Sequence, residues 1–257
     1  MLNFDEYGAT NPGTPIMIVH GLFGSARNWG AIARRLASDH RVIVPDMRNH
    51  GRSFHADTHR YEDLAADLAE LIEHVGVPVD LVGHSMGGKA AMQLVLTRPD
   101  LLRRLVVADI APVGYGHSQS HLIRAMRNLD LNGLTLRSEA DKRLAADIES
   151  PQVRAFLLQS LDLKSDPPRW LLNLDVLDRE MQHITGWPGT QGRFEKPTLF
   201  LAGANSDYVL PQHRDTIKDL FPHAVIARIA DAGHWLHAEK PREFEDAVRT
   251  FLSTASV

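Results

Sequence analysis

Val79-Asp80-Leu81-Val82-Gly83-His84-Ser85-Met86-Gly87 begins as a short apolar run and ends in a glycine-flanked serine. The run from Gly88 to Thr97 then carries Ala90, Ala91, Leu94 and Val95 at helical spacing and stops before Pro99. Strand, G-x-S-x-G and helix in that succession are what a nucleophile elbow requires. The glycines are expected to permit a strained turn that lifts the serine hydroxyl out of the sheet. The new helix aims its first N–H groups at the same spot. A bare G-x-S-x-G is common in turns; these flanks make Ser85 a candidate nucleophile.

Around this element strands and helices alternate. Ile16 to Val19 reads as a strand opening into His20-Gly21-Leu22-Phe23-Gly24, followed by a helix over Trp29 to Leu36. Arg41 to Pro45 is a second strand leading to Asp46-Met47-Arg48-Asn49-His50-Gly51. Leu64, Leu68, Leu71, Ile72 and Val75 share one face of a helix from Tyr61 to Val75, ended by Gly76 and Pro78. Strands are also expected at Leu105–Ala108, Pro197–Ala202 and Val225–Ile229, with a closing helix from Pro241 to Leu252. This alternation predicts an α/β fold with a mostly parallel central sheet flanked by helices. In such sheets ligands collect at the carboxyl ends of the strands.

Between Val113 and Arg193 strand signals vanish. Helical segments are expected at Ser120–Leu129, Arg137–Glu149, Gln152–Leu161 and Leu172–His183, punctuated by prolines 151, 167, 168 and 188. The expected organisation is a core domain of residues 1–112 and 194–257, with a helical cap over 113–193 inserted between strands at the ligand-binding end.

Composition narrows the function classes. With 257 residues, 44% apolar and 23% charged, the chain suits one soluble α/β domain. A net charge of −4 and no basic stripe argue against a nucleic-acid partner. The apolar runs are strand-sized, so no membrane span is expected. Met1 to Glu6 lacks a basic or apolar leader, which makes the cytoplasm the expected compartment. The absence of cysteine excludes disulfides, thiol catalysis and cysteine-ligated zinc. Nothing in the sequence sets an oligomeric state.

A serine needs a base within hydrogen-bond reach. Of fourteen histidines, His234 stands out, because it lies in the loop between the last strand and the C-terminal helix, at the edge where Ser85 arrives. His237, three residues on, and the pairs His55/His59 and His117/His121 lack the glutamate context of a zinc-protease helix, so no metal is expected. The third member should be a carboxylate that holds the imidazole tautomer. Asp109 and Asp207 both follow a strand, and strand logic does not separate them.

These segments together resemble the α/β-hydrolase superfamily. Gly83-His84-Ser85-Met86-Gly87-Gly88-Lys89, Asp109-Ile110-Ala111-Pro112-Val113, Asn205-Ser206 and Gly233-His234-Trp235-Leu236-His237-Ala238-Glu239-Lys240-Pro241 more narrowly resemble the YbfF/ABHD11-type esterases. The resemblance runs nearly end to end and is weakest in the helical insert. In the superfamily at large the acid follows the strand after the cap, which corresponds here to Ser206 or, with one residue inserted, Asp207. The narrower family implies Asp109 as the acid, with Ser206 assisting. This chain departs in carrying Asp207 directly beside Ser206, which keeps Asp207 as the alternative acid.

What this implies is a serine hydrolase acting on a small-molecule carboxylic ester or acyl thioester through an acyl-enzyme, without a cofactor. The backbone N–H groups of Leu22 and Met86 are the expected oxyanion donors, and His20 and Asp46 are expected to brace the loop. Phe23, His84 and Trp187 are candidate substrate-binding residues, with Phe156, Leu157 and Trp170 as further candidates for an acyl pocket. A cofactor-free perhydrolase or haloperoxidase, or a carbon–carbon bond hydrolase, would use the same three residues. A non-catalytic binding protein on this fold would have lost them.

Overall fold

The computed structural model describes residues 1–254. Its central sheet has seven strands in the order β1-β3-β2-β4-β5-β8-β9, where β1 is Phe4–Tyr7, β2 Ile16–Val19, β3 Val42–Pro45, β4 Val79–His84, β5 Leu102–Ala108, β8 Thr198–Gly203 and β9 Ala224–Ile229. All neighbours are parallel except β1, which pairs antiparallel with β3. The helices of the core are α1 (Ala26–Leu36), α2 (Tyr61–Val75), α3 (Met86–Thr97), α9 (Arg214–Leu220), α10 (Leu236–Glu239) and α11 (Pro241–Ser253).

The inner strands are continuous apolar runs because both of their faces are covered. In β2, Met17 and Val19 join the core on the side of α2 and α3, while Ile16 and Ile18 join the opposite core with Trp29, Ile32 and Leu36 of α1 and Phe244, Val248 and Leu252 of α11. Each fully buried aliphatic side chain of this kind contributes about 2 kcal/mol. Helix α2 ends at Gly76, whose φ of 83° is the left-handed C-cap that glycine adopts without penalty.

Between β5 and β8 lies the insert, built from α4 (Ser120–Asn128), α5 (Arg137–Leu144), α6 (Pro151–Leu157), the two-residue strands β6 (Leu161–Asp162) and β7 (Arg169–Trp170), α7 (Leu174–Arg179) and α8 (Met181–Thr185). It differs from expectation in detail. The helix expected to run to Leu161 stops at Leu157, because Leu161 and Asp162 pair with Trp170 and Arg169. The helix expected over Leu172–His183 breaks at Glu180 into α7 and α8, and α5 ends at Leu144 rather than Glu149. β1 carried no clear apolar signal, being a half-buried edge strand.

The insert is fastened over the carboxyl ends of the strands. Gly51 N–H donates to Leu171 O (2.8 Å) and Asn173 N–H to Asn49 O (3.0 Å). Ser160 Oγ donates to Phe23 O (2.9 Å) and the Tyr61 hydroxyl to Ile184 O (2.5 Å).

Candidate active site

Ser85 joins β4 to α3 with φ 51° and ψ −120°, so the strained residue of the turn is the serine itself. Gly83 and Gly87 have no positive φ; they are required by close approach. A Cβ on Gly83 would lie 2.5 Å from Gly87 O, and one on Gly87 would lie 2.5 Å from His20 O. This corrects the expectation that the glycines serve the turn's dihedral angles. Gly21 has a similar reason: its Cβ would lie 2.9 Å from His84 Nδ1 and 3.2 Å from Ser85 Cβ.

His234 reaches the elbow from the loop after β9. Its Nε2 lies 3.1 Å from Ser85 Oγ, and its Nδ1 lies 2.8 Å from Asp109 Oδ2. A carboxylate only accepts, so Nδ1 carries the hydrogen and the Nε2 lone pair faces the serine hydroxyl. Asp109 follows β5 at φ 51° and is fully buried. Gly203 N–H donates to its Oδ1 (2.9 Å), and the Ser206 hydroxyl donates to its Oδ2 (2.5 Å). Asp207 is exposed, and no hydrogen bond from it to His234 is found among the described residues.

Other side chains hold this arrangement in place. His84 donates from Nε2 to the His234 carbonyl (2.8 Å), and burial pushes its pKa down to about 3, so the ring is neutral. The ring of Tyr208 stacks on the His234 imidazole. His237 stacks on Trp29, with ring centroids 4.1 Å apart.

The loop after β2 is braced from below. His20 accepts from Met47 N–H (2.9 Å) and donates to Gly21 O (2.8 Å); Asp46 accepts from Ala26 N–H (2.7 Å) and Arg52 N–H (2.9 Å). His50 accepts from Phe23 N–H (3.1 Å) and donates to Arg48 O (3.0 Å). Burial lowers the pKa of His20 and takes that of His50 well below the usual range. As neutral rings, both have one donating and one accepting nitrogen, and the backbone uses both.

Ser85 opens onto a cavity of about 580 Å³, lined beside it by Leu22, Phe23, His84, Met86 and His234. Ile110, Leu122, Ile184 and Phe156 supply apolar wall, and the insert closes one side. Trp187 is not in this wall. Its ring packs toward Tyr61 at 6.4 Å between centroids, and Tyr61 takes the lining position instead. Trp170 is also outside, held by its Nε1 donating to Met126 O (2.9 Å), and Leu157 is core. Among the residues missed by sequence reasoning, Tyr208 was signalled only by lying two residues after Ser206. His50 was one histidine of fourteen.

Fold and site together are those of an α/β hydrolase. The family model for the alpha/beta hydrolase fold matches residues 14–241, and the chain belongs to this family. More particularly, it is 42% identical over 247 residues to the sn-1-specific diacylglycerol lipase ABHD11 of Mus musculus, covering 93% of this chain and 80% of that protein. It is 38% identical to the esterase YbfF of Escherichia coli K12, with 93% of each chain covered. A solved marine microorganism esterase superposes with a TM-score of 0.92 at 38% identity, covering 97% of this chain and 98% of that one.

Proposed function

We propose that the protein is a serine hydrolase that cleaves carboxylic esters or acyl thioesters through an acyl-enzyme. The single observation that carries this is the hydrogen-bonded line from Ser85 through His234 to buried Asp109 at a largely apolar cavity. In this reading His234 Nε2 takes the Ser85 proton as Oγ attacks the carbonyl, and Asp109 stabilises the imidazolium that forms. Ser206 and Gly203 N–H hold the Asp109 carboxylate, so Ser206 acts as a positioning residue.

The N–H groups of Leu22 and Met86 receive the developing oxyanion, each worth about 3 kcal/mol of transition-state stabilisation. His234 then gives its proton to the leaving alcohol or thiol, and the acyl-enzyme is hydrolysed by water that His234 activates. Residues 113–193 serve as the cap that shapes the acyl pocket. The names of the relatives, an esterase and a diacylglycerol lipase, favour ester cleavage over perhydrolysis or carbon–carbon hydrolysis. No helix among the described residues is long and apolar enough to cross a membrane. The test is labelling with a fluorophosphonate followed by peptide mapping, alongside turnover of p-nitrophenyl esters and acyl-CoA thioesters of graded length. Ser85 should carry the label, and Ser85→Ala should abolish labelling and turnover. Turnover without labelling of Ser85 would reject the reading.

A further inference from the structure

Lys89 lies four residues beyond Ser85, one helical turn along α3, about 6 Å of axial rise. Its side chain is 1% exposed and lines the cavity onto which Ser85 opens. Nζ donates to the carbonyl oxygens of Thr185 (2.9 Å) and Gly186 (2.5 Å) at the end of α8. It also sits over the ring faces of Tyr115 (4.7 Å) and Tyr61 (5.7 Å). An ammonium has three donors, and these two carbonyls occupy two of them.

Among the described residues no carboxylate compensates this charge. Among the described residues Lys89 forms no ion pair; the two acidic residues of the cavity wall, Asp147 and Glu149, are both exposed. Burial alone pulls the ammonium down to about 7, with no nearby anion raising it. Buried cations are ordinarily paired. Here the electron-rich surroundings are polarised carbonyls and aromatic faces, which favour a cation without neutralising it. The missing partner would be repaid by an anion delivered into the cavity, one helical turn from the nucleophile.

We propose that Lys89 is an anion anchor in the acyl pocket, so that the preferred substrates are esters or thioesters whose acyl group carries a carboxylate a few carbons from the scissile carbonyl. This rests on the serine-hydrolase reading above and narrows its substrate class. The chemistry is unchanged: the Ser85 Oγ–carbonyl bond forms as the carbonyl–oxygen or carbonyl–sulfur bond breaks. Water then releases a dicarboxylic acid and regenerates the serine.

The test compares kcat/KM for monoethyl esters of succinic, glutaric, adipic and suberic acid with that for the same esters bearing a neutral ω-carboxamide. The wild-type protein should favour the acid over the amide by at least about tenfold at one chain length, chiefly through KM. Lys89→Met and Lys89→Gln should each lose that selectivity, and Lys89→Arg should keep most of it. Gln retains donors for the Thr185 and Gly186 carbonyls, so it separates anion binding from fastening of α8 and carries the comparison if the Met variant does not fold. Wild-type ratios near one at every length, or selectivity that survives in Lys89→Gln, would overturn the anchor. Fluorophosphonate labelling of Ser85 and turnover of the amides report separately on the hydrolase. If both are lost in the wild type, the underlying reading fails; if both persist without acid preference, only the anchor fails.

Discussion

The phenol ring of Tyr208 lies on the imidazole of His234, centroids 4.0 Å apart and planes 21° from parallel. Tyr208 is held on three sides. Its hydroxyl shares a hydrogen bond with His117 Nε2 (2.7 Å), its carbonyl accepts from the Tyr115 hydroxyl (2.7 Å), and its N–H reaches Ser206 Oγ (3.4 Å). The stack limits the imidazole to the plane in which both ring nitrogens meet their partners. In the proposed mechanism it would also place a π-face against the imidazolium charge formed during attack, an interaction of about 0.5–2 kcal/mol.

Removing the ring should therefore cost rate more than affinity. Tyr208→Leu should lower kcat by about 3- to 30-fold with little change in KM. Tyr208→Phe, which keeps the face and loses only the link to His117, should stay within about threefold of wild type. Steady-state kinetics on a p-nitrophenyl ester checks both; equal losses in the two variants would assign the effect to the hydroxyl.

Asp109 is met by three donors: Gly203 N–H, the Ser206 hydroxyl and His234 Nδ1–H. An amide turned one way presents N–H to His234 and selects the wrong tautomer; turned the other way it presents N–H to Gly203. Asp109→Asn should lower kcat by on the order of 10³- to 10⁴-fold, with fluorophosphonate labelling slowed in parallel. Asp207→Asn, at an exposed loop position, should change it little. The reverse ranking would move the acid to residue 207.

Ser206→Ala removes one donor to a buried carboxylate. A charge-assisted hydrogen bond of about 1.5–3 kcal/mol is lost, so turnover should fall by roughly tenfold or more while the melting temperature shifts down by a few degrees. Unchanged kinetics would show that Gly203 N–H and His234 alone hold Asp109.

The elbow predicts a steric failure at a residue with no chemistry. In Gly87→Ala the new methyl would meet His20 O at 2.5 Å and Val19 O at 2.6 Å, both backbone. Overpacking of this kind costs about 1–3 kcal/mol, visible as a lower midpoint in urea and as displacement of Ser85 from His234. Normal stability together with normal labelling would contradict this packing.

Five buried histidines link stability to pH. Burial lowers the pKa of His20, His50, His59, His84 and His237, and for His59 and His84 to about 3. The folded state therefore binds fewer protons than the unfolded state wherever free histidine is charged. The associated stability is complete above the unfolded value near 6.5 and declines as pH falls toward the folded values. Each such group contributes a slope of up to about 1.4 kcal/mol per pH unit. The melting temperature should drop from pH 7 to 5, and calorimetry in two buffers at pH 5 should show net proton uptake on unfolding, with about two protons from His59 and His84 alone. A melting temperature flat across this range would refute the assignment.

What the sequence determined by itself is local or periodic. Apolar runs of strand length, the helical spacing of Leu64, Leu68 and Leu71, and the G-x-S-x-G between a strand and a helix specify a parallel sheet and present Ser85 at its carboxyl edge, because burial on both faces demands those patterns. His234 followed from its place after the last strand. The tertiary structure decided what depends on the direction a side chain takes at that shared edge. Asp109 and Asp207 both follow strands, yet only Asp109, turned inward at φ 51°, is buried against His234. Trp187 and Tyr61 lie side by side, yet Tyr61 lines the cavity. Lys89 stands in sequence at the end of the Gly83–Lys89 motif with no role assigned to it; only the approach of α8 and two tyrosines from distant segments makes it a buried cation beside the serine. Periodicity records which face of an element is covered, and long-range packing alone chooses which atoms meet there.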